Sequence, residues 1–160
     1  MSSADIRYTL CFLTHEEAVL MLHRRNPPNQ GLWNGVGGHI EDGETPTASC
    51  LREVYEETGY ALQAIRFAGL LTWRGFEISD GGLYLFTAPV QSTDFKPSSE
   101  GTLAWKPFHF VFTSPMVVSN IHVFGPQILN GAPPQVYHFE YNGGEILEHE
   151  IYPLSSGIQV

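Results

Sequence analysis

The stretch that decides the fold runs from Gly38 to Tyr60, GHIEDGETPTASCLREVYEETGY. Thr45 stands where a helix N-cap belongs, Pro46 at the first helical position and Gly59 just past the end. These signals predict a helix over Pro46 to Thr58. The charge of this stretch is lopsided. Residues 41 to 57 hold Glu41, Asp42, Glu44, Glu53, Glu56 and Glu57 against a single Arg52, more than half of the chain's net charge of -9. At about 100° per residue, Ala48, Leu51 and Tyr55 share the side expected to face a core. Arg52, Glu53, Glu56 and Glu57 fall together on the other side.

Such a face opposes folding. Two carboxylates about 5 Å apart at an effective dielectric of about 20 repel by roughly 3 kcal/mol, and these lie near the negative end of the helix dipole. The ordinary reading of an acidic helix face is a solvated surface. Here the glycine-rich segment Trp33 to Gly38 (WNGVGG) adjoins it, as glycines do where a ligand or another backbone comes close. Hard divalent cations, which take oxygen ligands from carboxylates and substrate phosphates, would remove the repulsion.

Outward from this centre, Ile6 to Thr14 reads as a strand, His15 to Glu17 as a turn and Ala18 to Arg24 as a returning strand. Asn26 to Gly31 (NPPNQG) is a loop, because its two prolines forbid a central strand. Further strands are expected at Leu62 to Arg74, Leu83 to Val90 and Leu103 to Pro107, and a short helix around Ser119 to Asn130. The tail, Val136 to Tyr152, alternates around Asn142-Gly143-Gly144, a hairpin signal. Strands on both sides of a central helix predict a mixed sheet with helices packed on it, of the α+β or α/β class.

With 160 residues, 42% hydrophobic and 16% charged, the chain can bury one core and is no disordered segment. Eight basic residues against 17 acidic ones argue against polymeric nucleic acid as a partner. No run is long enough to cross a bilayer, and Met1 to Arg7 lacks the blocks of a signal peptide. Cys11 and Cys50 form neither a disulfide framework nor a CxxC pair, and the seven histidines show no HExxH spacing. The expectation is a reduced, soluble, cytoplasmic protein.

Gly38, five residues, Glu44, seven residues, Arg52-Glu53-Val54, one residue, Glu56-Glu57, one residue and Gly59 resemble the signature of the Nudix hydrolases. Val54 holds its aliphatic position, and Tyr60 stands where the last residue is usually aliphatic. The resemblance implies one domain over residues 1–160, with its box at 38–60 and an α/β/α sandwich built on a mixed sheet. It implies Mg²⁺, with Mn²⁺ as the alternative, and hydrolysis of a nucleoside diphosphate linked to another moiety. Glu56 and Glu57 are then metal ligands, Glu53 a ligand or the base that activates water, and Gly38 a carbonyl ligand. Arg52 orients the glutamates, Glu44 braces the loop, and Glu100 is a further acidic ligand or base.

The wider stretch Asn26 to Glu41 (NPPNQGLWNGVGGHIE) resembles the MutT-like branch, which sanitises oxidised purine nucleoside triphosphates such as 8-oxo-dGTP. Asn34 is then a reader of the purine edge, though Asn34-Gly35 is equally a turn pair. Asn120 falls where a second reader belongs, and is also a plain helix N-terminal residue. Arg24 stands near the substrate in this reading, or solvates a strand end; His39 replaces the lysine of many relatives. Trp33 and Trp105 read as core or strand residues and Cys50 as a small buried filler. The implied product pair is a nucleoside monophosphate and pyrophosphate, from a monomer or homodimer. The alternatives are hydrolysis of ADP-ribose or a dinucleoside polyphosphate and, from another class, a nucleotide sensor without turnover.

Overall fold

The computed structural model describes residues 6–160, so the reading of Met1 to Asp5 lies outside the described part. In chain order the elements are β1 (Ile6–His15), β2 (Ala18–Arg24), β3 (Trp33–Asn34), β4 (Val36–His39), α1 (Pro46–Thr58), β5 (Arg66–Arg74), β6 (Gly81–Pro89), β7 (Gly101–Pro107), α2 (Phe108–Thr113), α3 (Ile121–Leu129), β8 (Gln135–Asn142) and β9 (Glu145–Pro153). The strands join one mixed sheet in the order β3-β2-β1-β6-β5-β8-β9, with β4 on β1 and β7 on β2. The β1–β6 and β5–β8 pairs are parallel.

Alternation along the strands makes two apolar layers. In β1, Leu10 and Phe12 enter a core shared with Met21, Leu85, Phe124 and Tyr137, under α2 and α3. Cys11 and Leu13 enter the opposite core with Leu20, Phe86 and the α1 residues Cys50 and Val54. Each large apolar side chain buried this way contributes about 1.5–3 kcal/mol. That packing, rather than helix propensity, holds the acidic helix on the sheet. The result is an α/β/α sandwich.

The helix α1 has the expected bounds. The Thr45 hydroxyl accepts from the Ala48 N–H at 3.1 Å, and Gly59 closes the helix at φ 84°. Its buried side differs from the expected stripe. Ser49, Cys50, Val54, Glu57 and Thr58 are buried, while Tyr55 is 53% exposed, with the Lys96 ammonium 5.8 Å from its ring centroid. Small residues at 49 and 50 let the helix lie close to the sheet, which draws Glu57 inward and turns the bulky Tyr55 out.

Other boundaries shift for local reasons. The strand expected from Leu62 begins at Arg66, because the chain descending from Gly59 uses Leu62 and Ile65 to cover the α1-side core instead. Trp33 to Gly38 falls in two short strands, Trp33–Asn34 and Val36–His39, and passes close to another backbone as expected. Phe108–Thr113 forms a helix that its alternating aromatic residues disguise. The tail hairpin turns at Gly143-Gly144 as expected, and β9 ends the sheet with Leu147, Ile151 and Tyr152 exposed.

The split of β1 between partners positions the site. Its last residues pair with β2, while Tyr8 to Cys11 pair with His39 to Val36 of β4. The glycine strand is thereby set beneath α1.

Candidate active site

A side chain at Gly37 would collide with the Thr9 carbonyl, and one at Gly38 with the Glu53 carboxylate. The glycines therefore let α1 approach β4 until Glu53 lies on the strand and the Gly37 N–H reaches Glu57 Oε2 at 3.3 Å.

Arg52 organises the acidic face. Its Nε and Nη2 donate to the two carboxylate oxygens of Glu44 at 2.7 and 2.8 Å, a bidentate pair. Nη1 donates to Glu53 at 2.9 Å and to Glu56 at 3.3 Å, and Nη2 also reaches the His39 carbonyl at 3.1 Å. Glu44 further accepts from the Glu41 N–H at 2.9 Å. The Arg52 guanidinium, then that N–H, pull the Glu44 carboxyl down to about 2. Glu53 moves the other way: burial raises it, the bond to Arg52 opposes, and Glu56 and Glu100 add repulsion. Burial, then Glu100 and Glu53, push Glu57 up to about 8, against the Gly37 N–H and Arg24.

Glu57 is thus a buried carboxylate with one weak donor, facing two other acids, while Arg52 is occupied elsewhere. The deficit is of positive charge, and the atoms around it are oxygens: the carboxylates of Glu53, Glu57 and Glu100 and the backbone of Gly37 and Gly38. That donor chemistry fits a hard divalent cation. Among the described residues, no three acidic, histidine or cysteine side chains already stand at ligand distances. Arg52 holds Glu53 and Glu56 toward itself, and Glu56 has a side chain 57% exposed. Cation binding would need these two to turn from the arginine.

Beside this face lies a cavity of about 420 Å³, within the range of small-molecule sites. Arg24, Asn34, Gly38, His39, Glu53, Glu100 and Asn120 all line it. Glu56, Glu57, Glu44 and Gly59 do not; the first two flank it on α1, and the others brace the loop and end the helix. Asn34 ends β3 rather than opening a turn; its Oδ1 accepts the Gly35 N–H at 2.8 Å, and it borders the cavity. Asn120 precedes α3 without capping it; its Nδ2 donates to the Tyr141 hydroxyl at 3.1 Å. The His39 ring meets the edge of Tyr8 at 5.3 Å. Trp33 and Trp105 stand outside the lining; Trp33 lies against His23, and Trp105 donates to the Thr93 carbonyl.

The far wall escaped the sequence reading. Tyr8, Leu71, Trp73, Phe76, Leu83 and Tyr141 make it, with the Phe76 and Tyr141 rings 4.7 Å apart. The Trp73 indole N–H is spent on the Ser79 carbonyl at 2.9 Å, so Trp73 offers the cavity apolar surface. A signal was present in RGFEISD, residues 74–80, where Phe76 and Ile78 are apolar inside an otherwise polar turn.

An oxygen-rich, cation-demanding face opening onto a nucleotide-sized cavity is the arrangement of a hydrolase that acts on phosphoric anhydrides. Residues 6–124 match the NUDIX domain, and the chain belongs to the Nudix hydrolase family, whose members generally use divalent metal ions and small nucleotide substrates. It is 29% identical over 147 residues to the uncharacterized Nudix hydrolase YvcI of Bacillus subtilis, covering 84% of this chain and 89% of that protein. It is 27% identical over 99 residues to the oxidized purine nucleoside triphosphate hydrolase of Mus musculus, 56% of this chain and 62% of the mouse protein. The crystal structure of a Mutator MutT protein from Bacillus halodurans superposes with TM-score 0.74 at 27% identity, covering 93% of this chain and 99% of that one. No helix among the described residues is long and apolar enough to cross a membrane.

Proposed function

We propose that this Nudix hydrolase is a Mg²⁺-dependent nucleoside triphosphate pyrophosphohydrolase whose substrates are oxidised purine deoxynucleotides of the 8-oxo-dGTP kind. Mn²⁺ is the alternative ion. The observation that carries the reading is the continuity of one cavity from Glu53 and Glu100 to the aromatic wall, with Asn34 and Asn120 on its lining. A triphosphate placed at the acidic end leaves its base between polar amides and flat apolar surface. An amide both donates and accepts, which suits the altered donor pattern of an 8-oxopurine. Likeness to the mouse oxidized purine hydrolase supports the same substrate.

Glu53, Glu56, Glu57 and the Gly38 carbonyl would hold the ion, which when bound neutralises the phosphate oxygens and favours attack by water. Arg52 steers Glu53 and Glu56. Burial raises the Glu53 carboxyl above its ordinary value against the bond to Arg52, and Glu53 and Glu100 are the two acids beside the cavity that could accept the water proton. Water adds across one P–O–P bond; its oxygen stays on phosphorus, and the products are nucleoside monophosphate and pyrophosphate. Arg24 and His39 border the phosphate path.

The test is product analysis after incubation with 8-oxo-dGTP, dGTP, ATP, ADP-ribose and a dinucleoside polyphosphate, each with Mg²⁺ and with chelator. The expected result is monophosphate plus pyrophosphate, fastest from 8-oxo-dGTP and abolished by chelator. Preference for ADP-ribose or the dinucleotide would discard the substrate and keep the hydrolase. Absence of metal-dependent turnover in folded protein would leave a nucleotide sensor.

A further inference from the structure

We infer that Arg24 is a positioning residue that couples the strap over the cavity, residues 26–31, to Glu100 at the acidic centre. The kinetic part of the argument rests on the function proposed above; the structural part does not.

Arg24 ends β2 opposite Gly101, the first residue of β7. A side chain at Gly101 would collide with the His23 carbonyl, and the Arg25 N–H donates to the Glu100 carbonyl at 3.2 Å. The two backbones are therefore in close contact, and Glu100 is rooted directly beside Arg24. From there the guanidinium reaches in two directions. Its Nε donates to the Pro28 carbonyl at 2.7 Å, and Nη1 lies 4.0 Å from Glu100 Oε2.

The strap is fastened at both rims. On the near side, the Gly31 N–H donates to the Arg24 carbonyl at 2.9 Å. On the far side, the Asn29 N–H donates to Glu77 Oε1 at 3.2 Å, bridging to the loop whose Phe76 and Ile78 line the opposite rim. Pro28 and Asn29 face the cavity between these fastenings. A ligand filling the cavity would adjoin Pro28, whose carbonyl Arg24 holds, and the other arm of the same guanidinium faces Glu100. Substrate occupancy and the placement of Glu100 thus meet in one side chain.

A planar fork can bond the Pro28 carbonyl through Nε while Nη1 faces Glu100 as an ion pair at 4.0 Å, whereas a lysine ammonium is a single point charge. That difference separates coupling from mere attraction of phosphate. The experiment compares Arg24→Lys and Arg24→Gln with the wild type, using 8-oxo-dGTP with Mg²⁺ for kinetics and hydrogen exchange on residues 26–31. Coupling predicts that both variants lose about tenfold in kcat, the scale of a small misplacement at a reacting centre, with KM nearly unchanged in Arg24→Lys, which keeps the charge, and raised in Arg24→Gln. It also predicts faster exchange across the strap in both. Wild-type kcat in Arg24→Lys, or a rise confined to KM, would reduce Arg24 to a phosphate-attracting charge and overturn the coupling. Unchanged exchange in both variants would overturn it as well. If the wild type ignores 8-oxo-dGTP, the substrate reading falls, and the exchange comparison still decides this one. Should Arg24→Gln fail to fold, Arg24→Lys carries both measurements.

Discussion

The two ends of the cavity are built in opposite ways. At the acidic end, Gly38 and Glu53 line the cavity with Glu56 and Glu57 flanking them from the same short stretch, Glu100 joins from just before β7, and Arg52 holds Glu53 and Glu56 in place. At the aromatic end, Tyr8, Trp73, Phe76, Leu83, Asn120 and Tyr141 come from strands β1, β5, β6 and β8 and from loops and a helix terminus between them, and none carries a charge. The proposed chemistry is thus concentrated in one helix and the stretch leading into it, while the wall proposed to meet the base is assembled from separated parts of the chain.

The comparison predicts that substitutions at the acidic end cost turnover and those at the aromatic end cost affinity. The largest effect is expected from Glu56→Gln, which should lower kcat by about a hundredfold or more, since even residues that only support a metal ligand cost 10–100-fold. Its melting temperature should stay near that of the wild type, because the side chain is largely exposed; wild-type turnover would remove Glu56 from the ligand set. Next comes Trp73→Ala. Loss of base–aromatic contact is worth about 1–3 kcal/mol, so KM should rise at least several-fold while kcat holds. A fall in kcat alone would mean that the aromatic wall serves the chemistry and would break the division between the two ends.

Asn34→Ala should act more weakly, shifting the ratio of kcat/KM between 8-oxo-dGTP and dGTP by up to about tenfold, the worth of one neutral hydrogen bond. An unchanged ratio would leave Asn34 with its local bond to the Gly35 N–H alone. The smallest effect belongs to Glu44. Its carboxyl is held near 2, below its ordinary 4.5, so it stabilises the fold above about pH 4.5 and loses that contribution as pH falls toward 2. Melting curves of Glu44→Gln should therefore lie below the wild type at neutral pH and converge with it in acid. Parallel curves would show that the Glu44–Arg52 pair adds nothing.

The same contrast explains what could be read in advance. The helix Pro46–Thr58 was legible to the residue because Thr45, Pro46 and Gly59 are local signals with local consequences. The tail hairpin was legible because a Gly-Gly turn needs no distant partner. The inward face of α1 was not, because helical periodicity treats Tyr55 as core and Glu57 as surface. The close approach to Gly37 and Gly38 reverses both. Phe76 and Ile78 likewise look like loop residues until Pro28 and Asn29 face them across the cavity. Asn120 shows the limit from another side: a residue ahead of a helix suggests a cap, yet its amide is engaged by Tyr141, twenty-one residues later in the chain.

Arg52 has a consequence for the protein stripped of metal. Its guanidinium already lies among Glu44, Glu53 and Glu56, and burial raises Glu57 enough for it to keep a proton near neutrality. The polypeptide thus carries part of the counter-charge that its acidic face needs, so the fold should not depend on a bound ion. On the proposed metal-dependent reading, chelator should therefore abolish turnover while leaving the melting temperature close to that of the untreated protein.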